Sequence, residues 1–139
     1  MLTRLIYASL AICPSDADLP EILDWSRRVN PDLGVTGVLL YLDGVYMQYL
    51  EGDEPVVAAL FGSIRKDTKH RGVTQFDQRA VSKRAFPSWS LATLDWLDST
   101  RAIFRSFSPG TKLDLYKTDP CTAAPMIRAL VRAPGWKLM

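Results

Sequence analysis

The chain has 139 residues, of which 47% are hydrophobic and 23% charged, with a net charge of +2 and two cysteines. That length suits one core and one principal site; no apolar run nears the roughly 18 residues of a membrane span, and so small a positive excess gives no reason to expect nucleic acid. Cys13 and Cys121 are far apart with no Cys/His ligand spacing near either, so reduced thiols are expected rather than a disulfide framework or a metal site.

The opening stretch, Met1 to Tyr7, is too short an apolar run for a secretion signal and passes straight into a strand pattern, which makes the cytoplasm the expected compartment. Thr3 to Ser9 mixes apolar, β-branched and aromatic residues ahead of the loop Cys13-Pro14-Ser15, and predicts a first strand. Asp18, Pro20 and Glu21 form a capping-box-like start for a helix running to about Arg28. Its apolar stripe of Leu19, Ile22 and Leu23 continues through Ser26 to Asn30, so the inner face turns polar at its far end, and Asn30 before Pro31 reads as a helix stop.

Gly34 to Tyr41 is nearly all apolar and β-branched, as a central strand should be, and Leu42-Asp43-Gly44 turns it into a second strand from Val45 to Leu50. A second helix is predicted over Pro55 to Lys66, with Val56, Leu60, Ser63 and Ile64 at helical spacing and a basic run closing it through His70. Val73 to Val81 and Trp89 to Leu94 predict a fourth and a fifth strand. Farther on, Ile103, Phe104 and Phe107, then Met126, Ile127, Leu130 and Val131, predict one or two short helices broken at Pro109-Gly110 and Pro120. The resulting order, β-α-β-β-α-β-β, is the ferredoxin-like α+β pattern, a mostly antiparallel sheet with both helices on one face. The C-terminal helices are expected on or near the other face, or at a dimer contact.

Three polar residues fall where this pattern expects core. Period-two alternation puts Gln48 on one face with Tyr46 and Leu50, and Tyr7 on one face with Leu5 and Ser9, while Asn30 ends the inner stripe of the first helix. A buried amide left without partners costs about 1–3 kcal/mol, so each needs a polar neighbour. Each can be satisfied separately by backbone groups at strand and helix ends. Equally, the three can converge on a planar ligand with imide groups held in an otherwise apolar slot.

The residues Leu5-Ile6-Tyr7-Ala8-Ser9, Asn30, Gly34-Val35-Thr36-Gly37, Tyr46 to Gly52, Asp67-Thr68-Lys69-His70 and Phe86-Pro87-Ser88-Trp89-Ser90 occur in order. In that set the chain resembles the BLUF family of flavin-dependent blue-light sensors over about Leu2 to Leu94, and several spaced motifs are more specific than any one. The resemblance implies a sensor domain over residues 1–95 with FAD, or at times another flavin, between the two helices, and a helical extension over 96–139. It makes Tyr7 the photochemical electron and proton donor, and Gln48 the amide that rearranges its hydrogen bonds between Tyr7 and the flavin. Asn30, with Ser26 a turn before it, would bind the ring edge, and Asp67, Lys69 and His70 would lie near the ribityl and phosphate part. For Lys69 and His70 a solvated helix end complementing the dipole is the competing reading.

Two positions depart from common family patterns. Val29 stands where many members carry Asn or His, which removes one side-chain contact to the flavin edge. Leu91 stands where a Met often follows the Trp matched by Trp89, and loses a polarizable thioether near Gln48. Trp89 and Leu91 are the expected signal-output residues, and Trp89 can equally be plain packing. The implied function is a reversible photoswitch, not an enzyme, that signals through a homo-oligomer or an unidentified protein partner. Two other readings of the same fold are a light-independent ligand-binding or adaptor module and an acylphosphatase-like hydrolase built on Arg4 and Asn30.

Overall fold

A computed structural model of the protein describes residues 1–11, 28–67, 70–86, 92–94, 96–107, 114–132 and 136–138. Strands β1 (Leu2–Ala11), β2 (Thr36–Leu42), β3 (Val45–Asp53), β4 (His70–Ala80), β5 (Ala92–Leu94) and β6 (Trp136–Leu138) make one sheet in the order β4-β1-β3-β2-β5-β6. The helices are α1 (28–33), α2 (Glu54–Lys66), α3 (Asp98–Phe107) and α4 (Pro120–Val131), with a 3₁₀ turn at Leu115–Lys117. The first four strands pair antiparallel in the ferredoxin-like manner, and β5 adds parallel to β2. Strand β6, which sequence patterning did not predict, pairs with β5 through three residues, too few to show a period.

The hairpin forms where expected. Asp43 and Gly44 both have positive φ, 50° and 82°, which is the two-residue turn whose twist matches its flanking strands, and Leu42 pairs with Val45 across it. Strand β3 thus lies between β1 and β2 and is buried from Val45 to Gly52. Its alternation sorts two cores. On one face Leu5, Tyr7 and Leu50 pack under Val57, Leu60 and Phe61 of α2. On the other, Ile6, Met47 and Tyr49 meet Phe104 of α3 and Met126, Ile127 and Leu130 of α4. Each such apolar side chain removed from water contributes about 1.5–3 kcal/mol before entropy is counted.

Several boundaries differ from the sequence expectation, among them the end of β3, which runs to Asp53 instead of Leu50. Helix α1 does not stop at Asn30-Pro31 but continues to residue 33. It ends at Gly34, whose φ of 68° supplies the left-handed residue, with Val35 N–H donating to the Asn30 carbonyl and Gly34 N–H to the Pro31 carbonyl. The basic run spans two elements: Arg65 and Lys66 lie in the last turn of α2, which closes at Lys66 with Asp67 as its cap, while His70 opens β4. The inner stripe of α2 is Val57, Leu60 and Phe61 rather than Val56, Leu60 and Ser63: Ser63 is exposed and Val56 only half-buried. The fourth strand accordingly starts three residues earlier than its apolar pattern, at His70 instead of Val73.

Among the described residues no helix is long and apolar enough to cross a membrane.

Candidate functional site

In the antiparallel register of β1 and β3, Tyr7 stands opposite Gln48. The Tyr7 hydroxyl donates to Gln48 Oε1 at 2.5 Å, and both residues are at least nine-tenths buried. Among the described residues this is the one side-chain hydrogen bond of Gln48, so its amide N–H groups are not engaged there. Burial pushes the Tyr7 phenol well above its usual pKa, with the negative charge of Asp67 and then Tyr46 adding to the shift. The hydroxyl is therefore a donor throughout the neutral range.

Around the Tyr7 ring stand Phe61, at 5.3 Å between centroids, and His70, edge-on at 6.4 Å. His70 is fixed at both nitrogens: Nε2 lies 2.5 Å from the Ile64 carbonyl and Nδ1 2.8 Å from Ser9 Oγ. A carbonyl only accepts, so Nε2 carries a proton, and in the neutral ring Nδ1 accepts from the Ser9 hydroxyl. The Ile64 carbonyl also takes the Asp67 backbone N–H, so His70 and Asp67 together close the end of α2 beside Tyr7. His70 therefore bonds the C-terminal end of α2, as the competing reading had it, but half-buried and from β4.

Asn30 is buried in α1, and the neighbouring residues Val29 and Leu33 face Val56, Ala59, Leu60 and Ser63 of α2 across an apolar cleft of about 370 Å³. Val29 thus contributes to an apolar wall where a polar contact is common in the resembling family. The donor set fits a planar heterocycle with polar edges: two buried primary amides and a phenol beside a slot between two helices. Ser26, Lys69, Trp89 and Leu91 lie outside the described residues. Arg4, paired with Asp77 at 2.6 Å, packs with Tyr49 on the sheet face away from α1, so Arg4 and Asn30 are not brought together as the hydrolase reading requires.

A family model described as "BLUF: Sensors of blue-light using FAD" matches residues 2–92. The chain belongs to the BLUF family. Among curated proteins it is similar to the photoactivated adenylate cyclase subunit beta of Euglena longa, 34% identical over 110 residues, covering 78% of this chain and 12% of that protein. Against the alpha subunit of Euglena gracilis it is 32% identical over 109 residues, or 78% and 10%. The chain thus spans about a tenth of the length of the curated relatives it matches. Among solved structures it is similar to BlsA in its photo-activated state, with a TM-score of 0.88 at 27% identity over 99% of this chain and 100% of that one. It is also similar to the BLUF protein BlrB in its dark state, with a TM-score of 0.74 at 29% identity over 94% of each chain. As a BLUF chain it is a blue-light sensor that uses FAD.

One constellation went unread in the sequence. Glu51, fully buried three residues beyond Gln48, accepts the backbone N–H of Ala85 at 2.5 Å and of Phe86 at 2.9 Å. Arg84 beside them donates to the carbonyls of Gly34 and Glu51 and to Thr36 Oγ1, at 2.6, 2.9 and 2.8 Å. The strand expected from the sequence stops at Leu50 and so leaves Glu51 outside it; β3 continues to Asp53, and a carboxylate inside a buried strand must find donors.

Proposed function

We propose that the chain is a reversible photoswitch that holds FAD non-covalently and moves between two hydrogen-bond arrangements of Tyr7 and Gln48. The buried bond from the Tyr7 hydroxyl to Gln48 Oε1 carries this reading. Bound flavin would supply absorption of blue light and a transient electron acceptor. Tyr7 transiently gives up an electron and its proton and regains both, so no net redox change remains and only the hydrogen-bond arrangement is left to revert in the dark. Gln48 responds because a carboxamide has an acceptor at one end and donors at the other, so turning it over, or changing its tautomer, inverts what it offers to Tyr7 and to the ring edge. Asn30 holds that edge with Ser26 assisting, Asp67 and His70 bound the site at the end of α2, and Lys69 is assigned to the phosphate part of the cofactor.

The output is an interaction rather than a turnover. Gln48 faces the α2 side of β3 while Met47 and Tyr49 face the C-terminal helices, so a change in β3 is felt on both faces. We assign residues 1–95 to the sensor and 96–139 to the extension that passes the change, by way of Trp89 and Leu91, to a second copy of the chain or to another protein in the cytoplasm. The absorption spectrum of the purified protein tests the reading. Bound flavin supports it, and colourless protein that cannot take up FAD overturns it in favour of a light-independent module.

A further inference from the structure

On the sheet face away from Tyr7, a pocket of about 440 Å³ lies between the start of β1, the connection after β4 and the end of α4. Its polar lining is cationic: Arg4, Lys83, Arg84, Arg128 and Arg132, with Tyr49 against Arg4. Two of these charges are used by the fold. Arg4 is paired with Asp77, and Arg84 is committed to the Gly34 and Glu51 carbonyls and Thr36. Lys83, Arg128 and Arg132 are exposed and have no ion pair among the described residues. The whole chain carries a net charge of +2, so three uncompensated cations at one pocket exceed its entire surplus. Gathering like charges is unfavourable unless an anion sits among them.

We propose that this pocket binds a small ligand bearing a multiply charged oxyanion, of the kind found in a phosphate ester. Guanidinium groups match such oxygens two at a time. The pocket is an open depression with room for a small molecule. Phe86 and Tyr49, edge to face at 4.9 Å, give the ligand an apolar wall. Arg128 comes from the last turn of α4, Arg132 caps that helix and Lys83 comes from the connection, so the ligand would join the end of α4 to the segment that Glu51 ties to β3.

Calorimetric titration of the full chain with inorganic pyrophosphate, in the dark and at low and moderate salt, tests this. Saturable binding of one equivalent is expected, about tenfold weaker for each of Arg128→Gln and Arg132→Gln and unchanged in Lys66→Gln, an exposed cation on α2. Because the substituted residues are exposed, an unchanged circular dichroism spectrum establishes that each variant is folded. Absence of saturable binding, or equal loss in Lys66→Gln, overturns the proposal. So does binding of a poly-glutamate peptide or of anionic phosphatidylserine vesicles without binding of pyrophosphate, since either would make the patch a macromolecular contact.

Discussion

Tyr7 and Gln48 are register partners across β1 and β3, and the hydrogen bond between them, 2.5 Å long, is a cross-strand contact inside the core. Neither side chain can leave the other without one of them losing its partner in a low-dielectric setting, where an unmet polar group costs about 1–3 kcal/mol. A bound ring with polar edges gives Gln48 a second place to bond, and so makes two arrangements comparable in energy.

The raised pKa of Tyr7 predicts alkaline sensitivity. In the unfolded chain a phenol ionises near pH 10. In the folded chain burial keeps Tyr7 protonated beyond that, so the folded state holds more protons. Its contribution is complete below about pH 10 and falls as pH rises through the raised value, by up to about 1.4 kcal/mol per unit. Tyr49, raised by burial and by Glu51 and opposed by Arg4 and Arg128, acts in the same direction. Urea midpoints measured from about pH 9 to 11 should fall, and less steeply in Tyr7→Phe. An identical slope in that variant would mean that Tyr7 is not the buried acid.

Glu51 should be a stability residue out of proportion to its absence from the flavin side. Glu51→Ala leaves the Ala85 and Phe86 amides without their acceptor, at about 1–3 kcal/mol for the buried Phe86 amide and less for that of the exposed Ala85. Glu51→Gln keeps one acceptor oxygen and should cost clearly less. Equilibrium urea unfolding of the two variants side by side checks the order; equal costs would show that the carboxylate's two bonds are not what holds the connection.

Gly34 and Gly37 should respond differently to alanine. At Gly34 there is open space but φ is 68°, so Gly34→Ala pays only backbone strain, about 1–2 kcal/mol. At Gly37 a Cβ would collide with the Tyr49 carbonyl oxygen across the hairpin, so β2 and β3 must separate. Thermal melts should place Gly37→Ala well below Gly34→Ala, with reduced flavin retention because β3 carries Gln48.

The ferredoxin-like order and the two faces of β3 were legible because alternation and the Asp43-Gly44 turn are local signals. So was the need of Tyr7, Gln48 and Asn30 for polar partners. That Tyr7 meets Gln48 was expected from the family resemblance, but periodicity alone left it open, since the contact depends on the β1–β3 register of residues 41 apart. The end of α1 was misjudged because Pro31 was read as a stop, whereas the left-handed Gly34 with its two backbone bonds is the stronger terminator. His70 was assigned to a helix end because charge runs carry no period; its pairing with Ala11 places it in β4. The flavin and its photochemistry came from family resemblance alone.

The light-minus-dark absorption difference of the flavin-loaded protein, in wild type, Tyr7→Phe and Gln48→Ala, bears most directly on the central claim. Wild type should show a small red shift that reverses in the dark, and both variants should keep the yellow cofactor yet lose the shift. A normal reversible shift in either variant would contradict a switch made of Tyr7 and Gln48.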